Sequence, residues 1–317
     1  MRYLVTGCNG FIGSYFVKFV LKNDPEAVVV GLNRASSMKN EMRLEWAHSH
    51  PRFDLHYADL SRDPLADALQ DVECVVNFAA KTFVDYSIRD PQPFIDSNIV
   101  GTYRLLEEVR KSRSIKHFFQ VSTDEVYGAI LNGAYKENSG LNPTNPYSAA
   151  KAAGDMMVVS YFNTYGIPAI ITRTENNYGP FQGREKAVPT FVRKALADEL
   201  LPVYGDGKHR RMWLYVEDHV TAILHLMAKG QKGQIYHVAG EQETENIELA
   251  KFILKTLGKP EEQFKLIPDH DIRPGHDRRY ALNADKIRAT GWTAKFPFEL
   301  GMKMAVEWYR ANQDWMR

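Results

Sequence analysis

Three glycines, each separated from the next by two residues, lie near the start of the chain at Gly7, Gly10 and Gly13. The apolar residues Leu4–Thr6 before them predict a buried strand, and Phe11–Leu21 has the apolar spacing of a helix. Glycine allows positive φ and lets the backbone approach a pyrophosphate closely, while the helix N-terminus offers amide donors to that anion. This order of elements predicts a βαβ unit that binds a dinucleotide. The predicted cofactor contacts here are Gly7, Asn9, Gly10, Phe11, Ile12 and Gly13.

Strand and helix patterns alternate after this unit, which is typical of a Rossmann-like, doubly wound parallel α/β sheet. The predicted strands are Ala27–Leu32, Phe53–Tyr57, Cys74–Phe78, His117–Val121 and Ala169–Arg173. Later segments are interrupted by proline and glycine loops and predict a smaller, mixed α/β substrate-binding part, with helices at about Lys186–Leu200, Val216–Lys229, Thr244–Leu257 and Pro297–Gln313. We therefore expect a dinucleotide-binding domain over residues 1–174. Residues 175–317 should mainly bind substrate, with some return to the first domain.

Composition excludes several other classes of protein. With 317 residues, 44% of them hydrophobic and 25% charged, the chain can bury a sizeable core. Lys and Arg number 40 against 39 Asp and Glu, so nothing predicts a nucleic-acid partner. No apolar run approaches the ~18 residues of a membrane span, and two cysteines support neither a disulfide framework nor a metal site. Because the first residues predict a strand rather than a signal peptide, we expect a cytoplasmic protein.

The ends of the predicted strands carry residues suited to a dinucleotide. At the end of the second strand, an NAD-binding sheet usually has a carboxylate for the adenine ribose. Asn33, Arg34 and Ser36 stand there instead. A cation with hydroxyl donors favours a 2′-phosphate, and thus NADP over NAD, although an ordinary solvated loop is the plain alternative. The other predicted cofactor contacts are Asp59, Leu60, Ala79, Ala80, Thr82 and Asn98.

Catalytic candidates follow the strand that ends near Val121. Thr123, Asp124 and Glu125 place a hydroxyl and two adjacent carboxylates at the carboxyl end of a parallel strand, where ligands bind in such sheets. Tyr147 and Lys151 are one helical turn apart. A lysine ammonium lowers the pKa of a nearby phenol and makes it usable as a base near neutral pH. Each pattern alone is weak, because helices produce Tyr-x-x-x-Lys by chance and Asp-Glu after a strand is commonly a turn.

Together these segments resemble the extended short-chain dehydrogenase/reductase family and, within it, the nucleotide-sugar 4,6-dehydratases, of which those acting on dTDP-glucose are the most similar. The resemblance covers nearly the whole chain, through Val121–Gly128, Asn145–Lys151, Arg173–Pro180, Glu185–Lys186, Trp213–His219 and Arg273–Tyr280. It implies a hydro-lyase with tightly bound NAD(P), which converts a nucleotide-diphosphate hexose, dTDP-glucose favoured, into the 4-keto-6-deoxyhexose. The cofactor loop Gly31–Ser37 is more similar to that of GDP-mannose 4,6-dehydratases, which use NADP.

The resemblance also implies roles for individual residues. Tyr147 would take the proton from the sugar O4, with Thr123 bonded to that oxygen and Lys151 holding Tyr147 and the nicotinamide ribose. Glu125 would remove the C5 proton, and a protonated Asp124 would give its proton to the departing C6 hydroxyl. Hydride, taken from C4, would return to C6. The substrate contacts implied are Asp85, Thr123, Asn176, Asn177, Lys186, Arg211, His219, Arg273, Asp277 and Tyr280; for His219, a structural histidine bonded to a neighbour is the plain alternative.

The chain departs from the family pattern around the sugar and the nicotinamide. In Ala80–Ser87, Lys81 replaces an acid, Phe83 a histidine and Tyr86 an arginine, and Met212 replaces the aspartate before the tryptophan. These changes leave the particular sugar and base open. A 4-epimerase or decarboxylase of the same fold is the main alternative, and a non-catalytic dinucleotide-binding protein is another. The resemblance further implies a homodimer that packs its helices near 91–113 and 147–165 into a four-helix bundle, with no metal.

Overall fold

A parallel sheet runs through the centre of the molecule. The computed structural model describes residues 1–36, 42–268 and 277–316. Within these ranges the strands are β1 (Arg2–Thr6), β2 (Val28–Asn33), β3 (Phe53–Tyr57), β4 (Cys74–Asn77), β5 (His117–Thr123), β6 (Ala169–Thr174), β7 (Asn176–Tyr178), β8 (Leu201–Tyr204), β9 (Arg210–Tyr215), β10 (Ile235–Val238), β11 (Glu243–Glu245) and β12 (Phe264–Ile267). Seven of them form the parallel sheet in the order β10-β6-β5-β4-β1-β2-β3. The order reverses between β1 and β4, and such switch points are where open sheets bind ligands.

Helices cover both faces of this sheet. Within the same ranges they are α1 (Phe11–Asn23), α2 (Val84–Arg89), α3 (Gln92–Phe94), α4 (Gly101–Lys111), α5 (Pro146–Tyr165), α6 (Ala187–Leu196), α7 (Val216–Lys229), α8 (Asn246–Thr256), α9 (Asp285–Arg288) and α10 (Phe298–Ala311). On one face α1 and α7 pack together, with Phe16 and Ile223 in one core cluster. On the other face, Leu105 of α4 and Val158 of α5 belong to a second core cluster. Because both faces are covered, the strands are buried almost throughout, except for the half-exposed edge strand β3. The predicted Rossmann-like fold class is confirmed.

The second half of the chain builds a smaller core beside the sheet. Helices α6, α8 and α10 pack with β8 and β9 around residues such as Phe191, Ile253 and Met302. This part also contains two small sheets, in the orders β11-β9-β7 and β12-β8. The chain also returns to the central sheet, because β10 pairs in parallel with β6.

The helix expected near 147–165 is α5, which begins at Pro146. Asn145 caps it: its side chain accepts a hydrogen bond from the Ser148 backbone N–H at 3.0 Å, and the Ser148 hydroxyl reaches back to the Asn145 backbone. Pro146 occupies the first turn, where its missing N–H has no cost. Gly166 ends the helix in the left-handed conformation, with φ +68°. Tyr147 and Lys151 consequently lie on the buried face that packs against β5.

The helical segment predicted near 91–113 is not a single α-helix. It consists of α3, a π-helical turn at Ile95–Val100, and α4. The π turn carries Asn98, whose side chain accepts from the Lys81 N–H at 2.8 Å and donates to the Lys81 carbonyl at 3.0 Å. Such turns interrupt helices mostly at functional sites, and this one ties the helix to the segment that follows β4. Across the described residues, no helix is both long enough and apolar enough to cross a membrane.

Candidate active site

A cleft of about 690 Å³ opens between the carboxyl ends of the central strands and the smaller part of the molecule. Most of the predicted site residues line it. From the cofactor and catalytic predictions, the cleft is lined by Gly7, Asn9, Gly10, Phe11, Ile12, Gly13, Asn33, Arg34, Asp59, Leu60, Ala79, Ala80, Thr82, Thr123, Glu125, Tyr147 and Lys151. From the substrate predictions, it is lined by Asp85, Asn176, Asn177, Lys186, Arg211, Asp277 and Tyr280.

Five predicted residues are not among those that line the cleft. Asn98, Asp124 and His219 are buried behind its wall. Ser36 is exposed outside it. Arg273 lies outside the described residues.

The glycine turn has the geometry that an anionic ligand requires. Gly7 has φ +65°, and the Gly10 N–H donates to the Gly7 carbonyl at 2.8 Å. A Cβ at Gly13 would clash with that same carbonyl oxygen. Helix α1 has neither a side-chain cap nor an acidic residue in its first turn, so its first N–H groups can bind an anion. The side-chain amide of Asn9 is buried, and neither its nitrogen nor its oxygen has a hydrogen-bond partner in the described chain. These features fit the pyrophosphate of a dinucleotide.

The end of β2 combines structural and binding residues. Asn33 is buried, and its side chain accepts from the Asn9 N–H at 3.3 Å and donates to the Cys8 sulfur at 3.0 Å. It therefore holds the glycine turn in place. Arg34 and Asp59 line the cleft at this end. Burial and then the charge of Arg34 lower the pKa of Lys81, while Asp59 raises it, so the lysine is close enough to feel both charges.

The catalytic candidates at the end of β5 form a compact hydrogen-bonded group. The Thr123 hydroxyl donates to Asp124 Oδ1 at 3.0 Å and accepts from the Glu125 N–H at 3.3 Å. A 3₁₀ turn, Asp124–Tyr127, begins here and directs Glu125 to the cleft and Asp124 into the interior. Burial, followed by the charge of Glu125, raises the pKa of Asp124 to about 7. Two adjacent carboxyl groups are therefore placed in different environments, as an acid and base pair requires.

Tyr147 and Lys151 lie near this group, but the predicted lowering of the tyrosine pKa is not found in the protein alone. Burial and the charge of Glu125 raise the pKa of Tyr147, and only the hydrogen bond with Thr123 opposes them notably. Lys151 Nζ instead donates to the Val121 carbonyl at 2.6 Å, and burial lowers its own pKa. The lysine is held at the floor of the cleft by the backbone of β5 rather than by the phenol.

A second polar group forms the substrate side of the cleft. Asp277 Oδ2 accepts from the Tyr280 hydroxyl at 2.6 Å and from the Thr144 hydroxyl at 2.5 Å. Arg211 donates to the Asp277 carbonyl at 2.8 Å, and its guanidinium carbon lies 4.3 Å from the centre of the Tyr280 ring. These contacts fix an arginine in the cleft, where its planar donors suit a diphosphate.

Lys186 closes the cleft toward the segment after β4. Its ammonium lies 5.4 Å from the centre of the Phe83 ring and 3.4 Å from the Thr82 carbonyl. Phe83 in turn packs edge-on against Tyr86, with 4.6 Å between ring centres. Two of the departures from the family pattern therefore contact one another at the wall beside Lys186.

His219 is buried behind the residues that line the cleft and does not line it itself. Its Nδ1 lies 3.0 Å from Asn177 Oδ1, while Asn177 Nδ2 donates to Thr174 Oγ1 and to the Glu175 carbonyl. Burial lowers the pKa of His219 to about 3, so the ring is neutral. The amide oxygen needs a donor, which makes Nδ1 the protonated nitrogen. This is the structural role considered for the residue, and it orients Asn177 in the cleft.

Several residues of the cleft were not predicted as site residues, among them three with a buried polar or charged group. Glu175 follows β6, is buried, and accepts from the Gly240 N–H at 3.2 Å and the Leu282 N–H at 3.4 Å. Burial and then the charge of Asp124 raise its pKa well above the ordinary value. Trp213 presents a buried indole N–H without a partner in the described chain. Arg43 is buried against Asn9. An acidic residue directly after a buried strand could have indicated Glu175, and the motif Trp213–His219 could have indicated Trp213, whereas no local signal indicates Arg43.

Comparisons with known proteins show the family of the chain. Residues 4–305 match the family described as GDP-mannose 4,6 dehydratase. The chain is 41% identical to the low-salt glycan biosynthesis protein Agl12 of Haloferax volcanii, over 99% of this chain and 100% of the relative. It is 39% identical to a dTDP-glucose 4,6-dehydratase of Streptomyces niveus, over 99% of this chain and 94% of the relative.

Solved structures give the same result. The dTDP-glucose 4,6-dehydratase DesIV of Streptomyces venezuelae, with NAD and TDP bound, matches with a TM-score of 0.94 and 39% identity, over 99% of this chain and 98% of that one. A UDP-glucuronic acid 4-epimerase of Bacillus cereus matches with a TM-score of 0.92 but only 25% identity, over 98% of this chain and 100% of that one. Among the described residues there is no cluster of His, Cys, Asp and Glu that could hold a metal ion.

Proposed function

Because the chain belongs to the nucleotide-sugar 4,6-dehydratases of the extended short-chain dehydrogenase/reductase family, we propose that the cleft divides the reaction among Tyr147, Glu125 and Asp124. The observation that supports this assignment is that two adjacent carboxyl groups differ in their location. Glu125 lines the cleft, whereas Asp124 is buried with a pKa of about 7. A base and an acid are thus available together at neutral pH.

The first step removes hydrogen from the C4 carbinol of the hexose. Tyr147 takes the O4 proton, with the Thr123 hydroxyl bonded to the same oxygen. When bound, an oxidised nicotinamide supplies a hydride acceptor and a positive charge. Burial and Glu125 raise the pKa of Tyr147, so the phenolate that could take the O4 proton is scarce at neutral pH in the protein alone. We therefore expect proton removal to depend on that positive charge.

The second step eliminates water across C5 and C6. The new 4-ketone acidifies the C5 proton, which Glu125 removes, and Asp124 protonates the departing C6 hydroxyl. Since Asp124 is bonded to Thr123 behind the wall, its carboxyl has to rotate toward the cleft. Hydride would then return to C6 and the proton held by Glu125 to C5, so that C4 stays a ketone and the dinucleotide is left in its original state. The proton that Tyr147 took from O4 replaces, through solvent, the one that Asp124 gave to the departing water.

We propose dTDP-glucose as the favoured donor, on the strength of the named relatives. The test is mass spectrometry of purified protein incubated separately with dTDP-, UDP-, GDP- and CDP-hexoses, without added cofactor. Loss of one water from the dTDP-hexose alone supports the proposal. Loss from another donor corrects the nucleotide, and an epimerised product without water loss contradicts the dehydratase mechanism.

For the cofactor, we propose NADP rather than NAD. A nicotinamide dinucleotide is supported by the NAD in solved relatives. The NADP preference is supported by Arg34 at the end of β2, where Asn33 replaces a carboxylate, and by Lys81, which follows β4 and whose pKa the charge of Arg34 lowers. Identification of the dinucleotide released on denaturation tests this. NADP in the wild type, and its loss in an Arg34→Gln/Lys81→Glu variant, would support the proposal, and NAD in the wild type would contradict it.

We propose a homodimer that packs through α4 and α5, and we keep the predicted cytoplasmic location. Helix α4 exposes Tyr103 and α5 exposes Met156 and Tyr165, each more than 40% accessible in the single chain. Large exposed side chains on neighbouring helices are suited to a subunit contact. Sedimentation equilibrium at micromolar concentration should give twice the mass of the chain, and a monomer would contradict the proposal.

A further inference from the structure

Arg43 connects the cofactor side of the cleft with its substrate side. The side chain is only 8% exposed and lines the cleft. Its Nη1 donates to the Asn9 carbonyl at 3.1 Å, and its Nε donates to the Phe181 carbonyl at 2.9 Å. Asn9 belongs to the glycine turn, and Phe181 begins the loop that leads to Lys186. One guanidinium therefore joins the two binding segments directly.

The C-terminal segment covers this arginine from outside. The guanidinium carbon lies 4.7 Å from the centre of the Trp315 ring, in cation–π geometry. Trp315 also donates its indole N–H to the Gln182 carbonyl at 3.0 Å. Because Gln182 follows Phe181, the tryptophan and the arginine hold adjacent carbonyl groups of the same loop. We name Asn9, Arg43, Phe181, Gln182 and Trp315 the clasp.

The loop held by the clasp is strained. Phe181 has φ +64°, a conformation that bulky residues rarely adopt. Such a conformation persists only where surrounding contacts enforce it, and it is found mostly at functional sites. The contacts here are those of Arg43 with the Phe181 carbonyl, and of Tyr309, whose hydroxyl donates to the Gly179 carbonyl at 2.8 Å.

We propose that Arg43 is a positioning residue that retains the dinucleotide throughout the reaction cycle. By tying the phosphate-binding turn to the Phe181 loop, it keeps the two sides of the cleft from separating. The inference rests on the proposed function, in which the cofactor is oxidised and reduced without leaving. It assigns retention to the planar geometry of the guanidinium, which two carbonyl groups and an aromatic ring together require, rather than to positive charge alone.

The test is the exchange rate of bound dinucleotide against isotopically labelled dinucleotide of the same kind, followed by mass spectrometry of gel-filtered protein. Arg43→Met should exchange about tenfold faster or more, since two charge-assisted hydrogen bonds are lost. Arg43→Lys, which keeps the charge but not the fork, should exchange nearly as fast as Arg43→Met. Activity lost on dilution of either variant should return when dinucleotide is added in excess.

Two further variants separate retention from general destabilisation. Arg52 is a matched control, because it donates to the carbonyl groups of Leu21, Asp24 and Ala27 away from the cleft. Arg52→Met should lower the melting temperature without accelerating exchange. Trp315→Leu should accelerate exchange, and in the double variant Arg43→Met/Trp315→Leu the two effects should not multiply, because the two residues contact each other and hold the same loop.

Each contrary result overturns a definite claim. A wild-type exchange rate in Arg43→Met, or in Arg43→Lys, would overturn the clasp, the second because charge alone would then suffice. If Arg52→Met accelerated dinucleotide exchange as much as Arg43→Met, the faster exchange would be explained by lower stability of the fold alone. If the wild-type protein neither contains nor binds a dinucleotide, the proposed function itself fails, which is a distinct result.

Discussion

Asp124 shows how burial turns an ordinary side chain into an acid for neutral pH. Its pKa of about 7 leaves the carboxyl group largely protonated below that pH and ionised above it. Because elimination needs the protonated form, we expect the turnover number for dehydration to fall as pH rises above about 7. The measurement is a pH profile of water loss at saturating substrate; a rate that still rises at pH 9 would contradict the assignment.

The same residue separates the two halves of the reaction. Asp124→Asn should slow dehydration by about 10²–10⁴-fold, the usual contribution of a general acid, while oxidation at C4 continues. Reduced nicotinamide should therefore accumulate after substrate is added, and its absorbance measures this. If no reduced form accumulates and dehydration is equally slow, the variant has lost more than its acid.

Glu175 links the stability of the protein to pH. The fold favours its neutral form, so its pKa lies well above the ordinary 4.5. As pH rises past 4.5, the unfolded chain releases this proton while the folded chain keeps it. The free energy of unfolding then falls by up to about 1.4 kcal/mol per pH unit for this group.

Glu175→Gln should therefore lose less stability than the wild type between pH 5 and pH 8. At pH 5 we expect it to be about 1 kcal/mol less stable, because an amide nitrogen cannot accept from a backbone N–H as the second oxygen does. Urea unfolding across this range measures both effects. If the free energy of unfolding changed with pH equally in the two proteins, Glu175 would already be ionised in the folded state.

Among the elements, the glycine turn and α1 form a unit in which an added methyl group has no room. Gly13→Ala places a Cβ against the Gly7 carbonyl oxygen, so the helix must shift, at a cost of about 1–3 kcal/mol. We expect the purified variant to contain much less dinucleotide. Gly140→Ala is the control, because a Cβ there meets nothing within 4 Å. Equal dinucleotide content in both variants would contradict this role of the turn.

The local sequence could predict those elements that have a clear periodicity of apolar residues or a helix start marked by a residue such as proline. Helix α7 begins and ends where the sequence predicts, and α5 begins at Pro146. Strands β7 and β11 contain only three residues each, most of them polar, so their identity depends on pairing with β9. The π turn at Ile95–Val100 depends likewise on a partner distant in sequence, the Lys81 backbone.

The residues of the candidate site also fall into those that the local sequence could predict and those that it could not. Residues that belong to a motif or follow a strand could be assigned from the sequence, and most of them line the cleft. Arg43 could not, because its partners Asn9 and Trp315 are remote in the chain. Nor could the ion pair between Arg173 and Asp155, with 2.9 Å between Nε and Oδ2, which is buried between β6 and α5. Only the folded chain brings these groups together.

At the scale of the whole molecule, the two parts share one structure. Strand β10 completes the central sheet beyond β6, and Ile223 and Leu226 of α7 cover the outer side of α1 in the same core cluster. We therefore predict that a fragment of residues 1–174 does not form a stable dinucleotide-binding domain. Circular dichroism and dinucleotide binding measure this. A monomeric fragment with cooperative thermal unfolding and bound dinucleotide would show that the first part is independent.

The late arrival of β10 has a consequence for how the chain is made. Synthesis proceeds from the N-terminus, so β6 is complete long before residues 235–238 exist to pair with it. Until then its outer backbone groups form an open strand edge, which another nascent chain can pair with. The edge of β6 stays exposed at least until the ribosome has added residues 175–238. Delay in translating this stretch should therefore lower the yield of folded protein more than an equal delay after it.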